Sequence, residues 1–140
     1  MNYRPINFVI QELVPPDVFA DRGQAAWELL DGWALVTLQA LRNRFGPITV
    51  NNWHLGGRFK ESGLRSFTTT TGAVYSQHRF GRAFDCKFSN TTPRAVSAYI
   101  LANAQEFPYL TTLEDVEYTP GWLHFDCRNN ADTGIRVVKP

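Results

Sequence analysis

Trp27, Leu30, Ala34, Leu38, Leu41 and Phe45 recur at intervals of three and four and draw one apolar stripe, so the spacing predicts a helix over 24–45. Arg42 and Arg44 suit the negative end of its dipole, Gly46-Pro47 stops it, and Gly32 is the weak point in its middle. Ile48-Thr49-Val50 reads as a short strand. A long polar, glycine-rich stretch follows over 51–75, with four consecutive threonines at 68–71. Loops of that length in a compact domain usually carry function. Ala83–Phe88 reads as a strand. Thr92-Pro93 opens a second helix over 93–106, with proline at its first position and Val96, Tyr99, Ile100 and Ala104 on one side. A hairpin is expected next, with arms 110–117 and 122–128 around a turn at 118–121, and a last short strand over 135–138. Helices and strands alternate without a regular βαβ repeat. The expected class is α+β, one domain over 1–140, with a small, mostly antiparallel sheet backed by helices.

Composition narrows this picture. Hydrophobic residues make up 44% of the 140 residues and aromatic residues 14%, which excludes a disordered chain and allows a real core. The formal net charge of +1, with no run of either sign, gives no basis for a nucleic-acid partner. No apolar stretch reaches the length of a membrane span. The first seventeen residues lack a continuous apolar run, because Gln11, Glu12 and two prolines interrupt them, so the expectation is synthesis in the cytosol without a signal peptide. Cys86 and Cys127 each follow an aspartate in an expected strand. Two buried, reduced thiols on the core face are the expected state, with a disulfide open if those strands are adjacent.

The candidate chemistry lies in three stretches: Ser62-Gly63-Leu64-Arg65, Ser76-Gln77-His78 through Gly81 to Asp85, and Trp122-Leu123-His124-Phe125-Asp126. Imidazole and carboxylate are good zinc ligands, and a catalytic zinc site takes three of them with one position open. Gly81 lets the backbone bend between His78 and Asp85 so that both side chains can converge. Asp85, flanked by Phe84 and Cys86, needs a partner. In the 122–128 arm, Trp122, His124 and Asp126 share one face, and Leu123, Phe125 and Cys127 share the core face.

The pattern S-x-H-x-x-G-x-A-x-D followed by W-x-H resembles the signature of the zinc D-alanyl-D-alanine carboxypeptidase and L-alanyl-D-glutamate endopeptidase family. These are peptidoglycan peptidases, many from phage, with a hedgehog-like core. The resemblance implies one zinc per chain on His78, Asp85 and His124, hydrolysis of an amide bond in a peptidoglycan stem peptide, and a hedgehog-like fold. It also implies a cell-wall site of action, reached by holin release or within a phage particle. Arg65 matches an arginine that points into the family's cleft. It can stabilise an oxyanion or clamp a substrate carboxylate, or it is a surface loop residue. Many members carry an acid three residues before the last histidine, where this chain has Gly121. Hedgehog-like relatives place the acid near the end of the preceding strand, where Glu114, Asp115 and Glu117 stand. If Leu113 faces the core, Glu114 faces the cleft and is the expected base, with Glu117 as the alternative. A zinc-bound but inactive module that binds cell wall or structural partners is the competing function, and Gly121 keeps it open.

The remaining candidates stay open on sequence alone. Ser76 can bond substrate or cap a turn. Asp126 can orient a ligand histidine or sit exposed beside an arginine. Trp53 and Trp122 can wall the cleft or pack in the core. His54 is expected at the cleft rim rather than on the metal.

Overall fold

A computed structural model describes residues 2–140. Among these residues the architecture is α+β, with three α-helices and one five-stranded mixed sheet. Helix α1 spans Pro16–Arg22, α2 Gly32–Phe45 and α3 Pro93–Ala102. The strands are β1 (Ile48–Thr49), β2 (Ala83–Phe88), β3 (Thr112–Glu114), β4 (Leu123–Asp126) and β5 (Arg136–Val138), in the spatial order β1-β2-β4-β3-β5. All neighbours are antiparallel except β3 and β5.

The helix expected over 24–45 is two elements. Gly23–Leu29 forms a 3-10 stretch, Leu30 is extended, and Asp31 caps α2 by accepting hydrogen bonds from the amides of Trp33 and Ala34. A good N-cap thus interrupts an apolar stripe that looks continuous, and Gly32 opens a helix instead of weakening one. Helix α1 was not predicted, although Pro15-Pro16-Asp17 is a start signal, with Pro16 at the first helical position. Helix α3 is capped by the Thr92 hydroxyl, which accepts from the Ala95 amide. It ends at Ala102, four residues before the expected stop, and 104–106 form a separate 3-10 turn. Strand β2 has its predicted bounds. The hairpin arms are shorter than expected. Residues 115–122 form one irregular connection, so Trp122 and Glu117 lie outside the strands.

The core lies between the sheet and helices α2 and α3. Leu35, Leu38 and Leu41 from α2, Val96 and Ile100 from α3, and Phe84, Cys86, Leu113, Leu123 and Phe125 from the sheet are all buried there. Burying each large apolar side chain stabilises the fold by about 1.5–3 kcal/mol. The strand parity read from the sequence holds, since Leu123 and Phe125 face this core with Leu113. Both cysteines are free thiols, Cys86 fully buried and Cys127 partly so, with its sulfur 3.8 Å from the Thr37 hydroxyl. Burial pushes both thiols up, Cys127 to about 12. Among the described residues no helix is long and apolar enough to cross a membrane.

Candidate metal centre

The sheet register builds the site. Asp85 on β2 lies directly opposite His124 on β4. On the other side of β4, Leu113 lies opposite Phe125, and one further step of that register sets Glu114 beside His124. Side chains alternate along each strand, so the residues that send Phe84, Leu123 and Phe125 into the core send Asp85 and His124 to the opposite face.

His78 reaches the same point from a 3-10 turn, Gln77–Phe80, which ends on Gly81 in the left-handed region at φ +69°. A Cβ at Gly81 would lie 2.1 Å from the Leu29 carbonyl oxygen, and the Gly81 carbonyl accepts a hydrogen bond from the Asp31 amide. Both the backbone conformation and the lack of space require glycine here. This one residue fixes the turn that carries His78 against the start of α2. The Ser62–Arg65 segment closes the site from another side. Asp85 donates its amide to the Ser62 carbonyl at 2.8 Å, and Arg65 donates its amide to the His78 carbonyl at 3.2 Å. Gly63 is also sterically required, since a Cβ there would meet the Leu13 carbonyl oxygen at 2.2 Å.

His78, Asp85 and His124 therefore converge. His78 Nε2 lies 3.2 Å from His124 Nδ1 and 3.3 Å from Asp85 Oδ1, and His124 Nδ1 lies 2.9 Å from Asp85 Oδ1. Both histidines are buried, and Asp85 keeps 13% of its side chain exposed to the cleft. The outer nitrogens are committed elsewhere. His78 Nδ1 meets the Gly63 carbonyl oxygen at 2.8 Å and can only donate to it. His124 Nε2 lies 3.1 Å from Asp126 Oδ2, a buried carboxylate that also can only accept. Each contact places the proton on the outer nitrogen, leaving His78 Nε2 and His124 Nδ1 with lone pairs aimed at each other and at Asp85. Three buried lone pairs at this separation need a cation between them.

The group can hold a metal ion. The donor set is two imidazoles and a carboxylate, and the triangle has nearly the edge of a tetrahedron about a zinc ion, about 3.3 Å for bonds near 2.0–2.1 Å. The electrostatics of the metal-free protein agree. Burial opposes a charge on His124, but hydrogen bonds to Asp126 and Asp85, with the charges of Asp85 and Glu114, overcome it and raise its pKa to about 9. Burial likewise works against an ionised Asp85, yet the His78 charge and the hydrogen bonds from both histidines hold it well below the usual carboxylate range. The pocket draws positive charge to the point where the three donors meet.

Asp126 is fully buried behind His124 and is gripped by Arg128, whose Nε donates at 2.8 Å and Nη2 at 2.5 Å. Burial would raise its pKa, but Arg128 and His124 hold it at about 2. The sequence left Asp126 open between orienting a ligand histidine and sitting exposed beside an arginine; it is buried and meets both His124 and Arg128. Arg128 was missed, although it has the strand parity of His124 and Asp126 and that parity could have found it.

A cavity of about 400 Å³ opens over the group and is lined by Arg65, Ser76, Glu114 and Trp122 among others. Glu114 Oε1 is 3.8 Å from His124 Nδ1. Glu117 points elsewhere, exposed and paired with Arg94 at 2.6 Å. Asp115 turns its carboxylate back to the Glu117 amide. Arg65 is not a free surface arginine. Its Nε donates to the Glu61 carbonyl, its Nη1 to the Ser76 hydroxyl, and its Nη2 lies 3.7 Å from Asp85 Oδ2. Ser76 precedes the His78 turn without capping it by its side chain. Trp122 is at the cleft. Trp53 is not among the cavity-lining residues: its Nε1 donates to the Val14 carbonyl and its ring packs on Phe19, the packing alternative left open for it. His54 stacks edge-on against Trp53 and takes no part in the three-residue group. No family model matches the chain, and searches of curated proteins and of solved structures return no match.

Proposed function

We propose that the chain is a zinc-dependent peptidase that hydrolyses an amide bond in peptidoglycan stem peptides, with the hedgehog-like core and cell-wall site of action that the motif resemblance implies. One observation carries this reading: Glu114 stands at the open side of the His78, Asp85 and His124 group, where a proton acceptor is needed and where Gly121 supplies none. The same residue weighs against the inactive-module alternative.

Zinc held by the three donors would acidify a water molecule and polarise the amide carbonyl. Glu114 would serve as the base that accepts a proton from the attacking water and returns it to the leaving amine as the C–N bond breaks. The Arg65 guanidinium, held by the Glu61 carbonyl and the Ser76 hydroxyl, lines the same cavity and would stabilise the developing oxyanion. Asp126 and Arg128 keep His124 in the tautomer that offers Nδ1. Trp122 provides an apolar wall for the peptide.

The test is digestion of purified peptidoglycan, with the products read by mass spectrometry. Metal-dependent release of stem-peptide fragments is expected. Glu114→Gln should keep zinc bound while activity falls by about two to four orders of magnitude, and Glu117→Gln should change little. Failure of the zinc-loaded parent to cut any stem peptide would sink the peptidase reading and favour the inactive module.

A further inference from the structure

The cleft does not end at the metal-binding group. Beyond Asp85 and Arg65 it continues into a second cavity of about 300 Å³. The two cavities share Arg65, Thr71, Asp85 and Trp122, so they are two arms of one groove that meet beside the three donors. The first arm holds Glu114, Ser76 and His78. The second holds none of these.

Charge sets the second arm apart. Arg58, Lys60, Arg65 and Lys87 line it, against only Glu61 and Asp85. Both carboxylates are already engaged. Glu61 accepts from the hydroxyls of Thr69 and Thr71, and Asp85 faces the two histidines. Among the described residues, Arg58, Lys60 and Lys87 form no ion pair. Lys87 is half-buried, and its ammonium donates to the Val50 carbonyl, the Ser62 hydroxyl and the Asp85 carbonyl, with the Asp85 carboxylate shared between it, Arg65 and the two histidines. Four cations against two engaged carboxylates leave a positive field in this arm.

The wall that carries these cations is built. Residues 52–59 close on themselves: the Phe59 amide donates to the Asn52 side chain at 2.9 Å, and the Asn52 and Trp53 amides donate to the Phe59 carbonyl. Gly57 has no room for a Cβ, which would lie 2.1 Å from the Asn52 side chain. The Phe59 ring takes Lys87 Nζ at 4.1 Å and the Arg58 guanidinium at 5.1 Å. Arg58 and Lys60 therefore flank an anchored residue at the groove wall.

The geometry points to a carboxylate-binding subsite in this second arm, formed by Arg58 and Lys60 above Lys87, that selects peptides bearing a free carboxylate one or two residues from the bond to be cut. It rests on the reading of this cleft as a peptide-cleaving site. Successive residues of an extended peptide are about 3.3–3.6 Å apart, so a chain laid past Asp85 puts its next residues in this arm. Such a subsite distinguishes an acidic stem peptide from one whose carboxyl groups are amidated.

The probes are versions of L-Ala-γ-D-Glu-L-Lys: one with both carboxyl groups amidated, one with only the internal carboxylate free, and one with only the terminal carboxylate free. Binding to the zinc-loaded full chain is read by stopped-flow tryptophan fluorescence before turnover, and cleavage is read separately. One monocarboxylate peptide should bind about tenfold tighter than the diamide, the scale of a charge-assisted pair. That gain should shrink at high salt. It should vanish in Arg58→Gln/Lys60→Gln, whose two positions are exposed, with zinc content unchanged. Equal binding of all three probes, or a gain that survives the double substitution, overturns the subsite. Cleavage without carboxylate preference leaves the peptidase reading standing and removes the subsite. Carboxylate preference in binding with no cleavage keeps the subsite and removes the peptidase.

Discussion

Asp126→Asn tests whether the metal group is held from behind. Asp126 is 0% exposed and satisfies donors at both ends, His124 Nε2 on one side and the Arg128 guanidinium on the other. An asparagine of the same shape cannot do this. Its carbonyl oxygen can accept from His124 only if its NH2 is turned against Arg128, donor against donor; the reverse orientation leaves His124 facing a donor and favours the wrong tautomer. Loss of such an orienting partner typically weakens metal binding about 10–100-fold, or about 1.4–2.7 kcal/mol. The broken charge-assisted bonds cost the fold about 1.5–3 kcal/mol, since Arg128 can rehydrate at the surface. Zinc affinity is read by competition with a chelator of known strength, and circular dichroism confirms that the variant is folded at the temperature used. A folded Asp126→Asn protein that binds zinc within about twofold of the parent would refute the argument that Asp126 sets the His124 tautomer.

Three further outcomes follow from the same contacts. Arg65→Ala should lower kcat about a hundred- to a thousandfold, the usual effect of removing one oxyanion donor, with zinc content unchanged; parent-level turnover would reduce Arg65 to a loop residue. Gly81→Ala must strain a left-handed backbone and push into the Leu29 carbonyl, so urea denaturation should show a loss of about 2–4 kcal/mol, and an unchanged midpoint would mean that the turn relaxes freely. The metal-free protein should lose stability with rising pH. The folded His124 pKa, about 9, lies above its unfolded value of 6.5, so its contribution is complete below about 6.5 and is lost as pH passes about 9, about 3 kcal/mol in all. Melting curves of chelator-treated protein check this, and a flat profile between those limits would show that His124 is not held protonated.

The parts of this site that were legible in the sequence are those fixed by strand parity. Leu123 and Phe125 had to share a face, which left His124 and Asp126 the other, and Leu113 then placed Glu114 in the cleft rather than Glu117. Strand β2 was legible because glycine and serine bound a short apolar run. Where tertiary contacts decide, the sequence was mute. The break at Leu30 and Asp31 depends on a cap that ties to the Gly81 carbonyl, a contact fifty residues away in the chain. The 3-10 turns have no period long enough to read. Trp53 and Trp122 look alike as sequence, yet one is bonded to the Val14 carbonyl and the other stands at the cleft. The Gly63 carbonyl that orients His78 is a backbone group, and no side-chain pattern announces it.

The position of the group in the sheet also bears on how the chain folds. His124 is on β4, near the middle of the sheet, and Asp85 faces it from the next strand, so strand pairing holds these two donors together while the Gln77–Phe80 turn brings His78 to them. In the metal-free chain a proton on His124 supplies positive charge to them, beside the Arg65 guanidinium 3.7 Å from Asp85, and the raised pKa reflects that demand. Above pH 9 the proton leaves and the lone pairs repel inside a pocket that excludes most water. A metal ion removes that repulsion at any pH where the ligands are deprotonated, and it binds the folded chain alone because the unfolded chain has no such triangle. By linkage, bound metal then stabilises the fold by RT ln(1 + [L]/Kd), about 4 kcal/mol at a thousandfold excess over Kd. The stabilisation should be larger at pH 9 than at pH 6, where protons compete for the same lone pairs. Paired melts with and without zinc at both pH values read this directly. A shift that is equal at the two values would mean that zinc binds elsewhere.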